Sequence, residues 1–433
     1  MQSKSADWLA IAVDIGTTTL AASLVDRSSG RRLAFCGRAN PQRKFGSDVV
    51  SRLQAACETE GALRELNLAI NQTLEDMSSQ LLAEAGARWN DVEAVALAGN
   101  PSMEHFSLGL TVRSIAFPPF RPLFSDGQTV RTSLLSWEHD LDAYFFPLPG
   151  GFVGGDLVAF LFGARRLESP APSNLSPVPA TLYLDLGTNG EIALEAGDTI
   201  WATSAAAGPA FEGGNLACGM PALPGAIDGV GIDRDRVSFA TIAGAPPVGI
   251  CGSGVLNAVS EMLDAGVLDQ TGRIRPPDEI DSNLVNRVVE MEGGLAFVLS
   301  RDSAGTVYLT QDDIRQVQLA KAAIRAGMEV LFKRAGISGG QVERVVVTGS
   351  FGAVLDPRCL KNIGIFTENM VSNGIFVREG VLGGVESSLT APRGKAAIEE
   401  LARRIRVIPL SGTPVFEKYF LAHMNFPTTQ PAD

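Results

Sequence analysis

The chain has 433 residues, 45% of them hydrophobic, and a formal net charge of −12 at pH 7. This length exceeds what a single hydrophobic core usually supports, so we expect two or three domains or lobes. Lysine and arginine form no runs in this acidic chain. A nucleic-acid partner requires a basic surface, so none is expected.

The five cysteines are widely spaced and odd in number, and no C-x-x-C pair occurs. A disulfide scaffold and a zinc or iron–sulfur site built from neighbouring cysteines are therefore disfavoured. The N-terminus lacks the long apolar run of a signal peptide, and no apolar stretch is long enough to span a membrane. We expect a soluble, cytoplasmic protein without membrane contact.

The first elements surround a glycine–threonine turn. Apolar runs at residues 8–13 and 20–26 predict a strand, a turn and a second strand, and residues 32–38 predict a third strand. Residues 48–86 are mostly compatible with helix, and residues 92–97 predict a further strand that leads into the segment Gly-Asn-Pro-Ser-Met.

The opening pattern returns in the second half of the chain. A helix is predicted from Gly154 to Phe162, and residues 169–179 are rich in proline and serine, which indicates a linker. Strands at residues 181–184 and 192–194 then flank a second glycine–threonine turn. Residues 205–254 are dense in glycine, which is expected where the backbone approaches a ligand closely.

A long helix and a late strand complete the pattern. Thr310 is suited to cap the helix together with Asp313, and Gly336 is suited to end it. A strand at residues 344–348 follows and leads into a third glycine-rich turn. Strands that alternate with long helices indicate an α/β fold.

These elements suggest a division of the chain. We predict lobe I over residues 1–168, a linker over 169–179 and lobe II over 180–380. A C-terminal helix and tail over residues 381–433 are predicted to pack back on the lobes.

The repeated turn suggests a phosphate site. The segment Asp14-Ile-Gly-Thr-Thr returns as Asp185-Leu-Gly-Thr-Asn, with Asp, Gly and Thr in identical positions. Glycine exposes backbone N–H groups to an anion, and hydroxyl and amide groups add donors. Aspartate cannot bind phosphate directly, but it can hold Mg²⁺ through water. The predicted nucleotide-binding residues are Gly16, Thr17, Thr18, Thr19, Gly187, Thr188 and Asn189, and the predicted metal residues are Asp14 and Asp185.

Other interpretations of the turn are weaker. A single Asp-x-Gly-Thr segment is often only a tight turn between strands, but two copies in matched context argue against that alternative. The pattern lacks the lysine of a P-loop and the G-x-G-x-x-G of a dinucleotide-binding strand–helix unit.

The third turn completes a known arrangement. Together with Val345-Val-Val-Thr-Gly-Ser-Phe-Gly352, the two turns resemble the actin, sugar-kinase and Hsp70 superfamily. That resemblance implies a two-lobed, ribonuclease H-like fold with a duplicated core and a central nucleotide cleft. It also implies that adenosine binds at Gly349, Ser350 and Gly352.

Further motifs narrow the resemblance to one family. They occur in this order along the chain: Gly99-Asn-Pro-Ser-Met103 with His105, Gly151-Phe-Val-Gly-Gly-Asp156, Leu184-Asp-Leu-Gly-Thr-Asn-Gly-Glu191, Gly208-Pro-Ala-Phe-Glu-Gly213, Pro224-Gly-Ala-Ile-Asp228 and Gly249-Ile-Cys-Gly-Ser-Gly254. As a set they resemble the ATPase domain of reductive activators of corrinoid proteins. The resemblance implies a Mg²⁺-dependent ATPase that returns cob(II)alamin to cob(I)alamin on a corrinoid protein or corrinoid-dependent methyltransferase, and a homodimer.

The sequence departs from this family in one respect. Members usually carry a ferredoxin-like iron–sulfur module with clustered cysteines, and these are missing here, so we expect no iron–sulfur cluster within the chain. Three explanations stay open. The sequence is part of a longer protein, a separate ferredoxin-type protein donates the electron, or the homologue no longer performs reductive activation.

Four polar residues are candidates for orienting the attacking water, because phosphoryl transfer mostly needs positioning and charge neutralisation. They are Glu191, Asp156, Asn100 and Glu212. Cys251 is interpreted as a small buried residue, with a cluster shared between Cys218 and Cys251 of two subunits as the alternative. His105 is interpreted as a packed residue rather than a ligand.

Two other functions are compatible with the motifs. A small-molecule kinase of the same superfamily would phosphorylate a metabolite held near a catalytic aspartate. A nucleotide-gated ATPase would clamp a partner without redox chemistry.

Overall fold

The structure is a computed structural model that describes residues 8–167, 180–302, 305–349 and 355–428. The predicted linker at 169–179 and the predicted adenosine residues Ser350 and Gly352 lie outside these ranges. Within them, no helix combines the length and the apolar character needed to cross a membrane.

The chain divides into two compact units. The first comprises the described part of Met1–Ser176, with Asp198–Ile200 and Glu379–Val407. The second comprises the described part of Pro177–Gly197, Trp201–Arg378 and Ile408–Asp433. The lobe boundaries predicted from the sequence stay predictions.

The N-terminal part of the chain alternates strands and helices. Its strands are β1 (Leu9–Ile15), β2 (Thr19–Asp26), β3 (Arg32–Ala39), β4 (Val92–Gly99), β5 (Gln128–Arg131) and β6 (Asp142–Phe145). Its helices are α1 (Val49–Glu58), α2 (Glu60–Ala85), α3 (Pro101–Ser107), α4 (Arg113–Ala116) and α5 (Gly155–Arg166).

The remaining part repeats this mixture. Its strands are β7 (Ala180–Leu186), β8 (Gly190–Ala196), β9 (Thr199–Ala205), β10 (Ala226–Asp233), β11 (Arg236–Thr241), β12 (Gly249–Ile250), β13 (Val288–Met291), β14 (Gly294–Asp302), β15 (Gly305–Thr310), β16 (Val342–Thr348), β17 (Gly374–Phe376) and β18 (Ile405–Val407). Its helices are α6 (Gly252–Asp264), α7 (Gln311–Ala335), α8 (Pro357–Asn362), α9 (Glu368–Ser372), α10 (Gly380–Thr390), α11 (Gly394–Arg404) and α12 (Pro414–Ala422).

The main sheets of the two units have the same strand order. In the first unit the order is β3-β2-β1-β4-β6-β5, with β1 antiparallel to β2 and parallel to β4. In the second unit the corresponding order is β9-β8-β7-β16-β17, with β7 antiparallel to β8 and parallel to β16. Each repeated turn therefore joins the two strands of a hairpin, and the two hairpins have equivalent places in their sheets. The predicted α/β fold with a duplicated core is confirmed.

The region at 48–86 is helical as predicted, and it forms two helices, α1 and α2. Thr59 separates α1 from α2 because its backbone is extended, with φ −143° and ψ 141°. Its side chain accepts a hydrogen bond from the N–H of Ala62 and so caps α2. Threonine competes with the helix in this way, and the apolar pattern alone does not reveal it.

The long helix α7 begins and ends as predicted. The Thr310 hydroxyl accepts from the N–H of Asp313, whose carboxylate accepts in return from the N–H of Thr310. Gly336 ends the helix in the left-handed conformation, with φ 70°. The apolar side chains of one face, including Ile314 and Met328, are fully buried in the core of the second unit.

In the first unit α5 packs on α10 through glycine. A Cβ atom at Gly384 would overlap the main-chain oxygen of Ala159, and one at Gly163 would lie 2.8 Å from the Cα of Gly384. The two helix backbones are therefore closer than any side chain permits. This contact places the N-terminal turn of α5, which carries Asp156.

Candidate functional site

The first repeated turn connects β1 to β2 with the chain folded tightly on itself. Ile15 pairs with Leu20 across the hairpin, and Asp14 pairs with Ala21. A Cβ atom at Gly16 would overlap the main-chain oxygen of Thr19, so only glycine fits. Asp14 is half-buried at the end of β1, next to Ala98 of the parallel strand β4.

Three buried side chains donate hydrogen bonds to residues of this turn. The amide nitrogen of Asn40 donates to the main-chain oxygen of Gly16 over 2.9 Å. The guanidinium of Arg52 donates to the main-chain oxygen of Thr17 over 2.8 Å. The amide of Asn100 donates to the hydroxyl of Thr17 over 2.9 Å. Because the Thr17 oxygen accepts this bond, its hydroxyl proton can be donated to a further acceptor.

Asn100 is also the N-terminal cap of α3. Its side-chain oxygen accepts from the N–H groups of Ser102 and Met103, each over 3.1 Å. Both ends of the Asn100 amide are thus used to join α3 to the first turn. The water-orienting role expected for Asn100 stays a prediction.

Two carboxyl groups lie close to the end of β4. Glu104 is completely buried and accepts from the N–H of Gly99 over 3.2 Å. Burial raises the pKa of Glu104 well above its usual range, and the neighbouring charge of Asp156 adds to the rise. Burial also raises the pKa of Asp156, to about 6, although backbone N–H groups at the start of α5 oppose the rise.

The start of α5 approaches these groups through two glycines. A Cβ atom at Gly154 would lie 2.6 Å from the Cα of Asn100. A Cβ atom at Gly155 would overlap a side-chain oxygen of Glu104. The motif that ends in Asp156 therefore brings this carboxylate beside α3.

The second repeated turn connects β7 to β8 in the same way. Leu186 pairs with Gly190, and Asp185 pairs with Glu191. Residues directly opposite each other on antiparallel strands project from the same face, and two like charges in that position repel. A divalent cation at this position would relieve the repulsion between Asp185 and Glu191. Glu191 is 7% exposed and accepts from the hydroxyl of Ser204 over 3.3 Å.

Glu212 supports the second turn directly. The hydroxyl of Thr188 donates to its carboxylate, and a Cβ atom at Gly187 would lie 3.3 Å from the same carboxylate. Glu212 ends a short 3₁₀ turn that lies between Gly208 and Gly213, both with φ 78°. The Glu212 carboxylate thus bonds to the turn itself, and the water-orienting role expected for it stays a prediction.

The glycine-dense region brings backbone against backbone. A Cβ atom at Gly252 would overlap the main-chain oxygen of Phe211, and one at Gly213 would lie 3.1 Å from the main-chain oxygen of Ile250. The start of α6 is thereby pressed against the turn that carries Glu212. Glycines in this region, which the sequence predicted to lie close to a ligand, therefore also allow two backbone segments to pack closely against each other.

The third turn is described only at its beginning. Strand β16 ends at Thr348, whose hydroxyl donates to the main-chain oxygen of Val377 over 2.8 Å. Gly349 follows with φ 144°, a conformation that favours glycine. Adenosine binding at Gly349, Ser350 and Gly352 stays a prediction.

Cys251 and His105 are both buried in the protein. Cys251 is 1% exposed, and its thiol contacts the main-chain oxygen of Ile227 at 3.4 Å, so the interpretation as a small buried residue is confirmed. His105 is fully buried against the main-chain oxygen of Pro101. Over the described ranges, no group of three or more His, Cys, Asp or Glu residues could by itself hold a metal ion.

The sequence analysis missed three buried residues that support the first turn. Asn40, Arg52 and Glu104 are all buried, and each bonds to the backbone at or beside the first turn. One feature of the sequence could have indicated that Arg52 is buried. It lies four residues before Ala56 on the apolar side of α1, where a charged residue is unusual.

Comparison with known proteins identifies the family. The family model described as the RACo middle region matches residues 9–165, and the one described as the C-terminal domain of RACo, the ASKHA domain, matches residues 179–433. The chain belongs to the RACo family. This assignment confirms the resemblance to reductive activators and the actin, sugar-kinase and Hsp70 type of fold.

Individual proteins similar to this RACo family member support the same assignment. The corrinoid activation enzyme RamQ of Eubacterium limosum is 30% identical over 427 residues, which cover 96% of this chain and 70% of that protein. A reductase of Methanosarcina barkeri for the Co(II) methylated amine-specific corrinoid protein is 26% identical, over 82% of this chain and 65% of that protein. The solved reductive activator for corrinoid, iron–sulfur protein is 31% identical with a TM-score of 0.88, over 99% of this chain and 67% of that one.

Proposed function

We propose that the chain binds Mg-ATP and uses it to drive the reductive activation of a corrinoid protein. The observation that carries this proposal is the duplicated hairpin, in which an Asp-x-Gly-Thr turn ends the equivalent strand in each unit of a RACo family member. Relatives that are named for corrinoid activation or reduction supply the reaction.

The residues of both turns fit a phosphate and a magnesium ion. A Cβ atom would overlap the main-chain oxygen of Thr19 at Gly16, and it would lie 3.3 Å from the Glu212 carboxylate at Gly187. Glycine at these positions puts no side chain between the main-chain N–H groups and an anion. Asp14 and Asp185 supply oxygen ligands, which Mg²⁺ prefers, and Mg²⁺ takes its other ligands from water and phosphate. A small number of carboxylates is therefore sufficient for this ion.

We assign different tasks to the four polar candidates. Asn100 and Glu212 hold Thr17 and Thr188 in place through their side chains. Glu191 projects from the same sheet face as Asp185 and orients the attacking water. Asp156 stands at the N-terminus of α5 as a second carboxylate for this task.

ATP hydrolysis supplies free energy, while the electron comes from elsewhere. Water cleaves ATP to ADP and phosphate, and one electron from a ferredoxin-type donor converts cob(II)alamin to cob(I)alamin. The transfer is uphill, so nucleotide-dependent binding to the corrinoid protein must change the cobalt coordination before the electron arrives. The chain acts as a homodimer.

The partner's effect on ATP turnover tests this function. We expect a cob(II)alamin-loaded corrinoid protein to raise the ATPase rate of the chain at least severalfold, because the partner stabilises the turnover-competent conformation. The measurement is phosphate release with and without the partner, beside a panel of sugars and carboxylic acids. Stimulation by a metabolite with formation of a phosphorylated product would instead establish the small-molecule kinase.

A further inference from the structure

The first repeated turn contains two successive peptide groups whose carbonyl oxygens both accept hydrogen bonds from buried side chains. Asn40 donates to the main-chain oxygen of Gly16, and Arg52 donates to that of Thr17. In a trans peptide the N–H group points opposite to the carbonyl oxygen of the same plane. The N–H groups of Thr17 and Thr18 therefore point away from Asn40 and Arg52. Successive N–H groups that point to one side form an anion-binding concavity.

Arg52 has an environment that is unusual for a buried cation. It is 1% exposed, and its other bonds go to the main-chain oxygen of Gly46 over 3.0 Å and to the sulfur of Met103 over 3.8 Å. Throughout the described residues, no carboxylate forms an ion pair with it. The carboxylate of Asp48 attracts it from a longer distance while capping α1.

A buried charge without a counter-ion is costly. Burial accordingly lowers the pKa of Arg52, to about 10. A neutral donor such as glutamine could bond to the same carbonyl oxygen without this cost. The positive charge of Arg52 can therefore act on an anion bound at this turn, because the peptide that Arg52 holds is the one that carries the N–H of Thr18.

We propose that Arg52 is the positioning residue that supplies the first phosphate turn with its positive charge, and that it selects nucleotides by their phosphates. Its hydrogen bond orients and polarises the Thr17–Thr18 peptide, and its charge attracts the phosphate bound in front of that peptide. Asn40 orients the preceding peptide without a charge. This inference rests on the proposed binding of ATP.

Three variants separate charge from hydrogen bonding. Arg52→Gln keeps a donor and removes the charge, while Arg52→Lys keeps the charge and loses the planar fork. Arg64→Gln is the matched control, because Arg64 is exposed on α2. Dissociation constants for ATP, ADP and adenosine are measured by calorimetry with Mg²⁺ on the full chain, and melting temperatures are measured without nucleotide.

We expect Arg52→Gln to weaken ATP and ADP by about tenfold or more, equivalent to about 1.4 kcal/mol, and to leave adenosine within about twofold. Arg52→Lys should retain most of the preference for ATP, and Arg64→Gln should retain all of it. Without nucleotide, Arg52→Gln should melt no lower than the wild type, because a buried charge has been removed.

Two results overturn the inference. If Arg52→Gln keeps the wild-type preference for ATP over adenosine, or weakens all three ligands equally while melting lower, Arg52 has only a structural role and the proposed ATP binding stands. If the wild type does not prefer ATP to adenosine, both the inference and the proposed function fail.

Discussion

Replacing Asp14 or Asp185 by alanine is expected to reduce Mg²⁺-dependent ATP hydrolysis by about 100-fold or more, equivalent to about 2.7 kcal/mol of transition-state stabilisation. Each carboxylate is next to last in the equivalent strand of its unit, beside the turn that we propose binds phosphate. Without the carboxylate the ion has fewer protein ligands, so the negative charge that develops during phosphoryl transfer is less well neutralised. The measurement is phosphate release as a function of Mg²⁺ concentration.

A control for these variants lies at the other end of the first hairpin. Asp26→Asn removes the same charge from β2, where the carboxylate only bonds to Ser28 and Ser29. This variant should hydrolyse ATP at close to the wild-type rate. Unchanged hydrolysis in both Asp14→Ala and Asp185→Ala would contradict the assignment of these residues to the metal.

Gly384→Ala is expected to destabilise the protein by about 2–4 kcal/mol. The added methyl group would overlap the main-chain oxygen of Ala159, and neither helix backbone can move without disturbing the contact between α5 and α10. Because α5 carries Asp156, nucleotide binding should weaken as well. Denaturant unfolding measures the first effect, and calorimetry measures the second.

The neighbouring residue provides a matched comparison. A Cβ atom at Gly383 would meet no atom within 4 Å, so Gly383→Ala adds only helix propensity. We expect it to stabilise the protein by about 0.5–1 kcal/mol. Equal stability of the two variants would show that the close approach of α5 and α10 is not required.

The features that the sequence predicted are those with local signatures. A glycine–threonine turn between apolar runs, repeated with the same Asp, predicts two equivalent hairpins because backbone geometry allows few residues there. The capping residues Thr310 and Asp313 likewise bond to each other within one helical turn, so the start of α7 could be predicted. Ordered motifs also identified the family, which the comparisons confirm.

The features that were missed depend on tertiary contacts. Arg52 and Asn40 are 35 and 24 residues from the carbonyl groups they hold, and no local pattern joins them. Asn100 and Glu212 were identified as polar residues near the site, but their bonding partners, Thr17 and Thr188, are set by the fold. The break at Thr59 was missed because its side-chain cap competes with a continuous helical pattern.

The most direct measurement of the proposed function follows the cobalt itself. A corrinoid protein in the cob(II)alamin state is mixed anaerobically with the chain and a low-potential reductant, and visible absorption records the appearance of cob(I)alamin. We expect cob(I)alamin to form with Mg-ATP and not with Mg-ADP, and Asp14→Ala to abolish its formation. Cob(I)alamin that forms equally fast without ATP, or that fails to form with it, would contradict ATP-driven reductive activation by this chain.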